Sequence, residues 1–102
     1  MSEDDDLDEV SNSVIDLIDR RRFDDALAVC DDLERRYPEV YDHLERRGLV
    51  YEAMGDHRKA AEYYRKSLAF IERDPTGFDD ALIDDLRMRA ERLDPSSKAP
   101  TP

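Results

Sequence analysis

The residues with which this chain could do chemistry are two histidines, one cysteine and four adjacent acidic pairs, and their spacing argues against a reaction centre. His43 and His57 fall on separate helical patterns and form no HExxH or similar metal-binding spacing, so both read as solvated side chains. Cys30 lies on an apolar helical stripe and reads as a small core residue, not a nucleophile. The pairs Asp24/Asp25, Asp31/Asp32, Asp79/Asp80 and Asp84/Asp85 have the ligand type that a cation needs. Adjacent helical residues, however, point about 100 degrees apart and do not share a face. No glycine-rich phosphate loop is present, and of Tyr63 and Tyr64 one belongs in a core and the other at the surface or in a contact. The chain is not read as an enzyme. No catalytic, metal-binding or cofactor-binding residue is assigned, and no cofactor is expected.

Charge narrows the partners. There are 27 acids against 16 bases, giving a formal net charge of −11. Glu3, Asp4, Asp5, Asp6, Asp8 and Glu9 supply six of the acids, with no base among the first nine residues. Nucleic acid is disfavoured, because a phosphate backbone requires clustered Lys and Arg, and the run Arg20, Arg21, Arg22 is followed at once by acids. A basic peptide or protein surface is the better electrostatic match. Two other readings of the acidity stand beside it: solubility, and the salt-adapted or GC-rich bias that Asp over Glu (18 to 9) and Arg over Lys (13 to 3) resembles. No apolar stretch approaches a membrane span and no basic, apolar N-terminus suggests a signal peptide, so a cytoplasmic protein without membrane contact is expected. A single Cys fits a reducing compartment.

The elements that must position these residues are all helical. A chain of 102 residues makes one small domain, and 42% charged residues with only three Gly favours exposed helices over strands. Apolar residues recur at helical spacing over 7–20, 23–37, 39–54, 57–73 and 78–93, and no strict alternation runs long enough for a sheet. Residues 1–6 read as a disordered acidic leader and 95–102 as a flexible tail. Gly55 suits a left-handed helix end and Asp56 a cap, whereas the turn before 23 has no Gly, so Arg21 or Arg22 must make it under strain. Thr76 is expected to cap the last helix.

The run from Gly48 to Leu68 carries the strongest pattern. Gly48 and Tyr51 lie one turn apart on one helix, and Ala60 and Tyr64 one turn apart on the next. A small residue at the crossing lets two backbones approach, with a Tyr ring from the facing helix beside it. These residues resemble the tetratricopeptide repeat, whose pattern is W-x2-L-G-x2-Y, A-x3-F and P over about 34 residues. Leu44 stands at the Trp position, Gly48 at the Gly, Tyr51 at the Tyr, Ala60 at the Ala and Tyr64 at the Phe, while Arg47 departs from the preferred Leu. One period earlier the classes largely recur: Val10 precedes Leu44, Leu17 precedes Tyr51, Ala26 precedes Ala60 and Cys30 precedes Tyr64, but Val14 replaces the Gly. Pro38 ends the first unit, and the late Pro75 predicts a second helix about one turn longer in the second unit.

The resemblance implies an all-α short right-handed superhelix of antiparallel helix pairs, with repeats at 7–40 and 41–75 and a capping helix at 76–94. It also implies a protein-interaction module whose first helices line a concave groove. The positions that would face it are Asn12, Ile15 and Asp19, and then Asp42, Glu45, Arg46, Leu49 and Glu52: an apolar strip with an acidic rim. Family members that clamp a C-terminal carboxylate use Lys, Arg and Asn in that groove. Only Arg46 and Asn12 are of that kind here, so a carboxylate clamp is not expected. The alternative is a structural protein that self-associates as a homodimer through Ile15, Leu49 or a helix-five surface including Ile83 and Met88.

Overall fold

The chain makes the same turn twice. Arg21 N–H donates to the Ile18 carbonyl at 2.9 Å and Arg22 N–H to the Leu17 carbonyl at 2.8 Å. One period later Gly55 N–H donates to Glu52 at 3.0 Å and Asp56 N–H to Tyr51 at 2.9 Å. Both are helix ends closed by a left-handed residue. Gly55 adopts φ 86° freely, whereas Arg21 adopts φ 59° with a side chain that the conformation disfavours. After each turn the next helix starts at the equivalent residue, and Asp56 accepts a cap bond from Lys59 N–H at 3.2 Å.

The computed structural model describes residues 3–74, 76 and 78–94. Within them are five helices and no strand: α1 (Glu3–Asp19), α2 (Phe23–Arg36), α3 (Asp42–Met54), α4 (His57–Arg73) and α5 (Asp80–Leu93). Each packs on its neighbour in the chain, and α1 also packs on α3. At 17 residues α4 is about a turn longer than the 14-residue α2, as the late proline predicts.

Three helix starts differ from expectation. The first helix begins at Glu3, so residues 3–6 of the expected disordered leader form its opening turn, and residues 1 and 2 lie outside the described residues. The third begins at Asp42, because residues after Pro38 are taken up by a turn in which Val40 N–H donates to the Tyr37 carbonyl at 3.2 Å. The fifth begins at Asp80. Phe78 lies ahead of it, edge-on to Tyr41 with ring centroids 5.6 Å apart. Thr76 is not its cap: its N–H donates to Asp74 Oδ1 at 3.3 Å, and Asp79 holds the cap position. Pro75, Gly77 and the expected tail at 95–102 lie outside the described residues.

Two apolar clusters form the core. One gathers Val14, Ala26, Cys30, Leu33 and Val50, and the other Ala60, Tyr64, Leu68, Ile71, Leu86, Ala90 and Leu93. The small-residue crossing is tight. A β-carbon on Gly48 would stand 2.7 Å from Tyr64 Cε1, and Tyr64 is 0% exposed. Tyr63 instead stacks on Tyr51 at 5.6 Å, its plane within 8° of parallel, so the adjacent tyrosines divide between core and contact. Cys30 is buried in the first cluster, and burial pushes its thiol up to about 12, which keeps it protonated and inert as a nucleophile near neutrality. On the last helix Ala90 is buried and Ala81 is exposed.

Candidate functional site

The first helices of the two pairs, α1 and α3, lie side by side, and α5 follows. Where they meet, Ile15 and Ile18 from α1, Leu49, Glu52 and Ala53 from α3 and Arg89 from α5 line an open cavity of about 470 Å³. Four of these six side chains are apolar. Helical spacing explains the grouping: Ile15 and Ile18 are three apart, as are Leu49 and Glu52, and each pair presents one face.

Three of the eight expected groove residues, Ile15, Leu49 and Glu52, are thus brought together at one cavity. Glu52 is also tied down. Its Oε1 accepts from the Tyr64 hydroxyl at 2.7 Å, and its Oε2 lies 3.6 Å from Arg92 of α5. Asp42 and Arg46 do something else, because they fasten α1 to α3, and Glu45 pairs with Arg46. Ser11 Oγ donates to Asp42 Oδ2 at 2.8 Å, and Arg46 Nε donates to the Ser11 carbonyl at 3.1 Å while its guanidinium pairs with Glu45. Burial raises the Glu45 carboxyl above its ordinary range, with Arg46 opposing. Burial, reinforced by Glu45 and Asp42, pushes the nearby Tyr41 hydroxyl up to about 12. Asn12 and Asp19 are exposed on α1 and do not line the cavity.

Two lining residues escape the repeat alignment. Ile18 is half-buried, packed against the first core cluster on one side and lining the cavity on the other. Arg89 comes from the helix beyond the second repeat, where the period gives no guide to register. Its guanidinium sits 5.9 Å from the Tyr64 ring, and its Nε is 3.0 Å from Asp85 Oδ2. Of the other apolar candidates, Ile83 packs against the second core cluster and Met88 is 67% exposed.

Two further readings change. Arg47, at the position where Leu is preferred, is buried to 9% exposure between the helix pairs, and α2 supplies its counter-charges: Asp31 at 2.7 Å and Glu34 at 2.8 Å. His43, expected in solvent, is 7% exposed one turn before it. Its Nδ1 lies 3.3 Å from an Arg47 nitrogen, and its buried Nε2 has no hydrogen-bond partner among the described residues. Burial lowers the imidazole's affinity for a proton, with Glu34 opposing. Arg47 thus ties α3 to α2, and among the described residues no group of three or more His, Cys, Asp or Glu is placed to hold a metal ion. No helix among the described residues is long and apolar enough to cross a membrane.

A family model described as Tetratricopeptide repeat matches residues 13–77, which spans both turns and the Gly48–Tyr64 crossing of the second pair. Comparisons with curated proteins and with solved structures gave no match.

Proposed function

The chain belongs to the tetratricopeptide repeat family, a fold that generally mediates protein–protein interaction, and from that premise we propose that it is a non-catalytic adaptor. Its α1/α3/α5 cavity takes an apolar side chain from a protein or peptide segment whose flanks are basic. The observation that carries this reading is the juxtaposition of Ile15, Ile18, Leu49 and Ala53 on the first helices of the two pairs. An apolar anchor in such a cavity contributes through burial, about 1.5–3 kcal/mol for a Leu or Ile side chain. The basic flank follows from α1, which carries eight acids and no base. Arg46, the groove guanidinium that the repeat alignment offers for a terminal carboxylate, is engaged with Ser11 and Glu45.

Selection from a displayed random peptide library tests the proposal, with the wild-type chain and the Ile15→Asp, Leu49→Asp double variant as baits and helicity checked by circular dichroism. The expected result is enrichment of peptides with a bulky apolar residue flanked by Lys or Arg, lost with the double variant. Enrichment indifferent to those two substitutions would exclude the cavity. A wild-type dimer in sedimentation equilibrium that the double variant dissociates would instead assign the face to self-association.

A further inference from the structure

The chain's bases are not spread evenly over its acidic surface. Helix α4 carries five bases against two acids, the reverse of α1 with eight acids and no base. Arg58, Lys59, Arg65 and Lys66 share an open cleft of about 950 Å³ with Glu62, Ala69 and Asp94. Arg65 is paired with Asp94. Arg58, Lys59 and Lys66 form no ion pair among the described residues, although acids outnumber bases 27 to 16 in the chain.

The two lysines are also held in place. Lys59 Nζ sits 5.2 Å from the centroid of the Tyr51 ring and Lys66 Nζ 4.8 Å from that of Tyr63, the two rings being stacked on each other. Cations over aromatic faces keep their charge and lose part of their freedom, so a partner that engages them has less side-chain entropy to overcome. They stand seven positions apart, about 10.5 Å along the helix axis.

We propose that this face of α4, which belongs to the second helix of its pair and not to the α1/α3/α5 cavity, docks an acidic helical segment of another protein. Carboxylates seven residues apart on such a segment match the spacing of Lys59 and Lys66. Ala69, about one turn beyond Lys66, leaves room for a small apolar contact at that end of the cleft. The chemistry favours spaced carboxylates over a polyphosphate. Glu62 and Asp94 stand within the cleft, and the rest of the chain is strongly negative, so a duplex bearing a charge about every 1.7 Å meets more repulsion than a segment with one carboxylate per two turns. The module then has two faces of opposite preference, and this one stands whether or not the apolar cavity has the partner proposed above.

Fluorescence anisotropy tests it with a labelled helical peptide of about 20 residues carrying Glu at seven-residue spacing, and with its Gln counterpart as control. At about 50 mM salt the Glu peptide is expected to bind and the Gln peptide not, with affinity falling as salt rises to about 200 mM. Lys59→Gln with Lys66→Gln should weaken binding at least tenfold at unchanged helicity, and Ile15→Asp with Leu49→Asp should leave it unaltered. No binding of the Glu peptide, or equal binding by the lysine variant, overturns the proposal. So does tighter binding of oligo-dT or of anionic vesicles than of the peptide. A concentration-dependent wild-type oligomer that the lysine substitutions dissociate would likewise give the face to a second copy of the chain.

Discussion

At Gly48 there is no room for even one carbon. The Cβ of an Ala would meet the Tyr64 ring at 2.7 Å, and that ring is fixed by the bond from its hydroxyl to Glu52 at 2.7 Å. Ala gains about 1 kcal/mol of helix propensity over Gly, but displacing the ring costs about 1–3 kcal/mol as overpacking does elsewhere. Gly48→Ala is therefore expected to lower the urea midpoint, and Gly48→Ala combined with Tyr64→Phe, which frees the ring from Glu52, to lower it less than the two single effects together. The buried His43 gives a pH-dependent counterpart. Its folded-state proton affinity is lowered by burial below the ordinary pKa of 6.5, so the unfolded chain binds the proton more readily. Its contribution to stability is complete above that value and is lost as pH falls below it. His43→Leu fills a similar volume and removes the unpartnered Nε2. The difference in unfolding free energy between variant and wild type should move in the variant's favour from pH 7 to pH 5.5, as read by denaturant titration at each pH. A constant difference would show that His43 does not titrate in that window.

At the scale of elements, the turn between α1 and α2 copies the turn between α3 and α4 with the wrong residue. Arg21 holds φ 59° where Gly55 holds φ 86°, and a left-handed conformation costs a side-chain-bearing residue about 1–2 kcal/mol. Arg21→Gly is expected to raise stability by about 0.5–1 kcal/mol. It releases that strain but forfeits the guanidinium stacked 5.7 Å from Phe23 and some unfolded-state entropy, and thermal melting would show the balance. This turn was legible in the sequence down to a choice between Arg21 and Arg22, since no Gly stands before Phe23 to end the first helix. So were α2 and α4, whose apolar faces keep a helical stripe against polar backs. Helix α3 was legible only in part. Gly48 and Tyr51 trace the side facing α4, but Arg47, His43 and Val50 are buried as well, because α3 is packed by α1 and α2 on its other side. A helix covered from two directions loses the contrast between faces on which periodicity depends. Polar residues are then tolerated inside wherever a neighbour supplies a partner, as Asp31 and Glu34 do for Arg47. The cavity was half legible for a related reason: Ile15 and Leu49 follow from the repeat, but Arg89 depends on how α5 settles on α4 beyond the last full period.

Over the whole molecule, the two apolar clusters behave as successive layers of a stack whose last layer is closed by α5. Leu86 is 1% exposed in the second cluster, and Leu86→Ala is expected to cost about 2–5 kcal/mol, a large share of the roughly 5–15 kcal/mol that stabilises a domain. A fall in the urea midpoint of that size, with the α1–α2 turn unfolding in the same transition, would show that the closing helix supports the entire stack. The position of α3 adds a consequence on the time axis. Val50 belongs to the first cluster, and Leu49 and Tyr51 pack against the second, so both layers must separate before α3 can open. Amide hydrogen exchange should accordingly be slowest along α3 and faster toward the outer helices α1 and α5, a protection profile that peaks in the middle of the chain and falls toward both ends.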